Sequence, residues 1–463
     1  MSKNSIHFEI SERKILLRLF DVLFVGVTLF IINKIFAFDY FIIEQSNWSG
    51  VLVLLIYIWG FGTVFELYDL QKSSRLETVL PSIILTASVS ILVFLLTPYF
   101  TPVLPANRLQ ILHFYVAVSG ALLLWRIVYI TFISSPRFYK HVLLIGETAT
   151  IEHIVKAFKA ADPNYKIVGF VNCEIGSKES LAYKDIQEFS PKCIEAIVEA
   201  EGISEIVIAA YNSEAITPEI YAQLLRLLEQ GFPIREYTKV YEDITYRIPV
   251  QYVGKDFYKY FPFSRSNKNK FYLSNKRIFD IGLSVIALFS SVFLLPFLLI
   301  GNLICNRGPL IYKQERVGKN GKVFTIFKFR TMVKNAEQDG AVWAQKNDVR
   351  VTRFGGLLRA TRIDEIPQFI NVLKGDMSFI GPRPERPIFV KELSEVIPFY
   401  QTRHVIKPGL TGWSQVNARY GSSVDDSLIK LQYDLYYIKH RSFFLDVNIL
   451  MKTFSTVIFF RGQ

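Results

Sequence analysis

Cysteine is scarce in this chain, with three in 463 residues. Cys173, Cys193 and Cys305 are odd in number and far apart, and no short Cys or His spacing accompanies them. A disulfide framework and a structural zinc site are therefore excluded, and the three read as inert packing residues in a reducing compartment. A removable signal peptide is not expected, because the N-terminus has no short apolar run ending in a small-residue cleavage site. A complete dinucleotide turn is missing too. The run Gly146-Glu147-Thr148-Ala149-Thr150-Ile151 keeps one glycine of the G-x-G-x-x-G pattern, so close approach of backbone to a pyrophosphate is not provided for and no NAD is expected.

Apolar residues, by contrast, are abundant. They make up 51% of the chain, with aromatics at 15%, which points to membrane segments. Four runs, Ile15 to Phe36, Ser49 to Leu67, Val79 to Phe100 and Leu109 to Ile133, are each long enough for a helix to cross a bilayer. Buried core helices are a poor alternative, since four such runs leave no amphipathic partners to cover them. Lys3, Arg13, Lys14 and Arg18 flank the first run, Lys72 and Arg75 lie in the second connection, and Arg126, Arg137 and Lys140 mark the exit. The connections containing Asp39, Glu44 and Arg108 are poorer in positive charge, so both ends of the bundle are expected in the cytoplasm.

From Lys140 to Val250 short apolar strands alternate with helices. Strands are expected at His141 to Gly146, Lys166 to Asn172 and Glu205 to Ala210, with a helix at Pro218 to Gln230, as in a small βαβ domain. A basic linker with Arg265, Lys268, Lys270, Lys276 and Arg277 then leads into a fifth apolar stretch, Ile278 to Cys305, interrupted by Pro296. Positive residues lie on both sides, with Arg307, Lys313 and Arg316 following. A helix that breaks at Pro296 and leaves on the face it entered fits better than a crossing. Ser290 and Ser291 are candidates to bond the carbonyls freed by the break. The apolar segment Phe443 to Phe460, with Asp446 and Lys452, reads as an interfacial helix.

The expected fold class is thus a multi-domain integral membrane protein. Residues 1–139 form a four-helix transmembrane bundle, 140–255 a Rossmann-like α/β middle domain without the dinucleotide fingerprint, and 274–463 an α/β catalytic domain with a re-entrant membrane helix at 278–305. Charge follows this division. Residues 264–463 carry a net +15 and the first 263 a net −3. A basic face of this kind attracts phosphate-rich ligands and anionic membrane lipids. Nucleic acid is disfavoured as a partner, because the basic part is tethered to membrane spans and no nucleic-acid module accompanies it.

The most informative run is Arg359-Ala360-Thr361-Arg362-Ile363-Asp364-Glu365-Ile366-Pro367-Gln368-Phe369-Ile370-Asn371-Val372-Leu373. Ile366, Phe369, Ile370 and Leu373 follow helical spacing, which places Asp364 at or near the N-cap and Pro367 in the first turn. For an isolated Asp-Glu, capping alone would suffice. Here Arg359 and Arg362 stand one turn upstream, and two adjacent carboxylates beside arginines can hold a metal ion and a diphosphate together, the constellation of phosphoryl transfer.

Several further motifs carry a resemblance. Lys276-Arg277 with Asp280, Gln314-Glu315-Arg316-Val317-Gly318, Phe327-Lys328-Phe329-Arg330-Thr331-Met332, Asp364-Glu365 before Pro367-Gln368, Gly375-Asp376-Met377-Ser378, Gly381-Pro382-Arg383-Pro384 and Pro408-Gly409-Leu410-Thr411-Gly412 resemble the catalytic domain of bacterial polyprenyl-phosphate phosphoglycosyl transferases. The four spans and middle domain resemble the family's long form, which initiates exopolysaccharide, capsule or O-antigen synthesis. The resemblance implies an enzyme of the bacterial inner membrane, with its catalytic domain on the cytoplasmic face. That enzyme transfers a sugar 1-phosphate from a nucleotide diphosphate sugar, by family habit a UDP-sugar, to polyprenyl (undecaprenyl) phosphate. It implies Asp364 as nucleophile and Glu365, with Asp364, as ligand of Mg²⁺, Mn²⁺ being an alternative. Arg359, Arg330, Lys328 and Arg383 are the expected phosphate contacts, and a homodimer is left open.

Two other readings stand beside this one. A membrane-anchored nucleotide-sugar dehydratase needs a glycine-rich turn and a Tyr-x-x-x-Lys pair in one domain, but the pairs here, Tyr68 with Lys72 and Tyr272 with Lys276, lie in a membrane connection and a linker. A non-catalytic scaffold for polysaccharide assembly leaves Asp364-Glu365 and its arginines unexplained.

Overall fold

The computed structural model describes residues 10–35, 40–41, 48–97, 99–105, 107–134, 139–147, 151, 154–155, 157–158, 164–173, 186–209, 216–252, 267–333, 336, 348–418, 421 and 423–458. The chain divides into two compact units, Met1–Thr245 and Tyr246–Gln463.

In the first unit, apolar helices run over Ile10–Ile35, Trp48–Val64, Leu76–Leu95 and Leu109–Val128. Three contain stretches long and apolar enough to cross a membrane, Glu12–Lys34, Leu76–Leu95 and Leu109–Ile133; Trp48–Val64 is shorter at 17 residues. The first helix packs on the fourth and the second on the third, around Leu17, Leu54, Ile83, Phe114 and Trp125. Ile15, Leu19, Leu23 and Val27, four residues apart, form an exposed apolar stripe, as a surface facing hydrocarbon requires.

Charge also sits inside this bundle. Asp21 and Arg126 are both fully buried. The Arg126 Nη2 donates to Asp21 Oδ2 at 2.9 Å and to the Leu67 carbonyl at 3.2 Å. Arg126 is therefore no flanking cation, as its sequence position suggests, but an internal one. An unpaired charge within a membrane helix is costly, and the pair ties two helices to the end of a third.

The sheet of the first unit has strands β1 (Lys140–Gly146), β2 (Tyr165–Asn172), β3 (Gln187–Phe189), β4 (Glu205–Ala209) and β5 (Ile234–Glu236). They are parallel throughout, in the order β3-β2-β1-β4-β5. Parallel strands are covered on both faces and so read as apolar runs, which is why β1, β2 and β4 are visible in the sequence. The edge strands β3 and β5 have three residues each, with Gln187, Glu188 and Arg235 among them, and carry no such signal. Leu143, Ile145 and Ile206 pack against helices Ile194–Ala200 and Pro218–Glu229. Of the turn after β1, Thr148 to Thr150 lie outside the described residues.

The second unit is organised by the helix Lys270–Gly301, capped by Asn269, whose side chain accepts from the Phe271 and Tyr272 amides. With the π-helical turn Asn302–Asn306 it makes 37 residues long and apolar enough to cross a membrane. The helix runs through Pro296 as one element. The Ser291 hydroxyl donates to the Leu288 carbonyl at 2.6 Å, one turn before the Val292 carbonyl that Pro296 leaves without an amide.

Strands β6 (Ile311–Val317) and β7 (Val323–Phe329) then form an antiparallel hairpin. Next come helix Arg353–Ala360, the 3₁₀ helix Ile363–Gln368, helix Phe369–Lys374, and the parallel pair β8 (Ser378–Ile380) and β9 (Gly409–Thr411). The long helix holds this assembly at several points. Gly301 presses against the Phe354 ring, where a Cβ would meet ring atoms at 2.2 Å. Arg277 donates to the carbonyls of Val372 and Leu373 at 2.5 and 2.6 Å, satisfying orphan acceptors at a helix end. That end closes at Gly375, with φ +93°, a backbone region that glycine enters freely. Asp280 accepts from the Phe379 amide at 2.9 Å. Helices Val424–His440 and Phe443–Ile458 pack behind, and Asp446, buried rather than solvated, accepts from the Tyr437 hydroxyl at 2.6 Å. Ile248 and Val250 belong to this core.

Candidate active site

Side chains alternate along β7, so Phe324, Ile326 and Lys328 share a face. Phe324 and Ile326 join the apolar cluster of Val372, Met377 and Leu410, and Lys328 extends the same face to Glu365. Asn371 locks the arrangement: its Oδ1 accepts from the Phe327 amide at 3.2 Å and its Nδ2 donates to the Thr325 carbonyl at 2.7 Å. It thereby fills the open edge of a two-stranded hairpin. Nothing in the periodicity points to that role.

The carboxylates themselves lie on the 3₁₀ helix Ile363–Gln368, not at the N-cap of an α-helix. Arg362 is the capping residue, in a left-handed conformation at φ +60°. Two causes act. The left-handed turn separates this segment from helix Arg353–Ala360, and Pro367 disfavours α-helical backbone at the residue before it. Helical spacing survives from Phe369 onward because Phe369–Lys374 is an α-helix.

Glu365 is buried and meets three cations. Lys328 Nζ lies 2.9 Å and Arg383 Nη2 3.0 Å from its Oε1, and Arg362 Nη1 3.3 Å from its Oε2. Burial opposes its ionisation, but Lys328, Arg383 and Arg362 outweigh it and hold the carboxyl well below the usual range. Asp364 differs. It is buried, and among the described residues it accepts no hydrogen bond and has no ion pair at contact distance. Burial raises its pKa to about 6, Glu365 adding to the rise while Lys328, Arg359 and Arg383 oppose it. Burial also lowers the pKa of Lys328.

The structure thus gathers Asp364, Glu365, Lys328 and Arg383, with Arg359 close enough to act on Asp364. The Arg359 Nε donates to Thr331 Oγ1 at 3.0 Å. Arg330, two residues beyond Lys328, instead donates to the Pro309 carbonyl at 2.9 Å and lies over the Tyr312 ring. Gln415 is an addition that the sequence reading missed: its Oε1 accepts from Arg383 Nη1 at 3.2 Å. Arg403, also unforeseen, fixes the Arg383 backbone by donating to its carbonyl at 3.0 Å, while itself pairing with Asp434.

No group of three or more His, Cys, Asp or Glu gathers for a metal among the described residues. The adjacent carboxylates nevertheless suit Mg²⁺, which commonly takes one or two protein carboxylates and fills its octahedron with water and substrate phosphate oxygens.

Comparison with known proteins bears on the family of the chain. Residues 271–460 match the family model described as bacterial sugar transferase. The chain is 37% identical over 191 residues to the uncharacterized sugar transferase EpsL of Bacillus subtilis, covering 89% of that protein and 40% of this one. It is 40% identical over 256 residues to the UDP-N-acetylgalactosamine-undecaprenyl-phosphate N-acetylgalactosaminephosphotransferase of Aeromonas hydrophila, covering 55% of this chain and 59% of that relative. It is also 37% identical over 195 residues to the UDP-glucose:undecaprenyl-phosphate glucose-1-phosphate transferase of Xanthomonas campestris, where the match spans 42% of this chain and 40% of that protein. On the family match and the extent to which it covers the Bacillus protein, the chain belongs to the bacterial sugar transferase family.

Proposed function

We propose that this protein transfers a sugar 1-phosphate from a UDP-sugar to undecaprenyl phosphate in the bacterial inner membrane, the first membrane step of exopolysaccharide or capsule synthesis. The observation that carries this reading is the asymmetry of the two carboxylates. Glu365 has three cationic partners, whereas Asp364, buried among positive charge, has no contact partner among the described residues. A carboxylate raised to about pKa 6 is ionised at neutral pH and more nucleophilic than an ordinary one.

In the first step an Asp364 oxygen forms a bond to the sugar-bearing phosphorus. The bond from that phosphorus to the bridging oxygen breaks, and nucleoside monophosphate leaves with the electron pair. In the second step a phosphate oxygen of the polyprenyl phosphate attacks the same phosphorus, its bond to Asp364 breaks, and the carboxylate is restored with a polyprenyl diphosphate sugar as product. Lys328, Arg383 and Arg359 receive the diphosphate, and Glu365 holds the first two in place beforehand, so little reorganisation remains for the transition state. Arg330 reaches phosphate only by releasing Pro309. Bound Mg²⁺, on Asp364 and Glu365, would withdraw charge from the phosphate oxygens.

The strand order of the first unit is that of the doubly wound nucleotide-binding fold, which supports a Rossmann-like middle domain; Gly146 alone in its first turn favours a role other than NAD binding. Basic residues on both sides of Lys270–Asn306 support the re-entrant arrangement and a cytoplasmic catalytic domain. Cysteine labelling of spheroplasts tests this: residues near 268 and 319 accessible on opposite faces would refute it.

The central test incubates the purified full-length protein and Mg²⁺ with UDP-N-acetylgalactosamine, UDP-glucose and other sugar nucleotides, with and without undecaprenyl phosphate. Release of UMP and a phosphosugar adduct on the peptide containing Asp364 are expected. No release from any donor would remove the reading.

A further inference from the structure

Beside the carboxylates lies a cavity of about 200 Å³. Its wall is almost wholly apolar, formed by Ile366, Phe369, Phe379, Leu410 and Val416. One end is closed by Glu365 and Arg362, and Gln415 lies with Thr411 and Thr453, whose hydroxyls are 2.6 Å apart, on another side. An apolar chamber with one charged end fits an amphiphile and offers few partners to the hydrogen-bonding edges of a nucleobase.

We infer that this cavity binds the phosphate-proximal isoprene of the acceptor lipid, drawing it out of the bilayer into protein while its phosphate meets the charged end. This rests on the function proposed above. Size agrees: a cavity of about 150 Å³ accepts benzene, so this one holds the five-carbon unit that carries the phosphate and part of the next. The walls reinforce the assignment. Ile366 follows Glu365 directly in the chain, and Phe369 and Phe379 stack with centroids 5.9 Å apart. Two of the side chains that would grip the lipid, Ile366 and Phe369, therefore belong to the same short segment as Asp364 and Glu365. Recognition of the first isoprene then governs where the attacking oxygen sits, whereas the rest of the chain remains in the membrane and is read little.

The experiment uses the full-length protein in nanodiscs and a polyprenyl phosphate carrying a diazirine in its first isoprene. Label is expected on the peptides spanning 366–369 and 410–416, displaced by undecaprenyl phosphate and not by UMP. Label confined to Lys270–Gly301, or displaced by UMP, overturns the inference. Val416→Trp, which fills the cavity, should raise the KM for undecaprenyl phosphate about tenfold with the KM for the sugar nucleotide unmoved. A rise in both, or in the donor's alone, would contradict it. Failure of the wild type to release nucleoside monophosphate from any donor would sink the functional reading separately, since the crosslink needs no turnover.

Discussion

In the helix bundle one carboxylate meets one guanidinium: Asp21 and Arg126 are buried together and joined at 2.9 Å. In the second unit two adjacent carboxylates stand among Lys328, Arg359, Arg362 and Arg383, and one of them, Glu365, takes the three contact-distance ion pairs. The first arrangement is balanced and the second is not. A balanced pair in a low-dielectric setting holds helices together and leaves nothing for a ligand to neutralise. A cluster with excess positive charge suits an anion, and Asp364, with no contact partner among the described residues, is the carboxylate to which the proposed chemistry is assigned.

The sharpest way to break this comparison is to remove one carboxylate from each region. Asp364→Asn should lower transfer activity by about three orders of magnitude or more, measured by UMP release. Its melting temperature at pH 8 should match or exceed the wild type's. Because burial raises the Asp364 pKa to about 6, the charged form costs stability above that pH. The cost fades as pH falls through 6 toward 4, where the two proteins should converge. A variant that melts lower at pH 8 would mean that Asp364 is structural after all.

Arg126→Leu should behave in the opposite way, leaving Asp21 buried without its counter-charge and costing about 3–5 kcal/mol. Asp21→Leu combined with Arg126→Leu should recover most of that loss. Thermal unfolding in detergent measures both, and a double variant no better than the single one would show that the pair is not balanced as described.

The smallest expected effect is on the pH profile. Activity should fall about tenfold per unit below pH 6 as Asp364 takes up a proton, whereas Glu365, held far lower by its three cations, stays ionised. A profile flat down to pH 5 would contradict the assignment.

Much of this was readable from the chain alone, because strong patterns have local causes. Apolar runs gave the helices, and the buried parallel strands β1, β2 and β4 stood out for the same reason. Asp364, Glu365, Lys328 and Arg383 could be named because their motifs are contiguous. What escaped notice depends on contacts between distant residues. Asp21 is one charge in an apolar run, and only its partner 105 residues away explains it. Gln415 and Asn371 carry no periodic signal. The α-helical reading at Asp364 failed because Arg362 adopts a left-handed backbone, which arginine's propensity does not suggest.

The clamp formed by Arg277 and Asp280 couples the long apolar helix to the carboxylate pair. Both side chains leave the opening turns of the long apolar helix and hold the backbone at Val372, Leu373 and Phe379, on either side of Gly375. The segment immediately before them carries Asp364 and Glu365. The geometry of that carboxylate pair is thereby tied to the helix long and apolar enough to cross a membrane, so a change that displaces the helix is felt at Asp364 and Glu365.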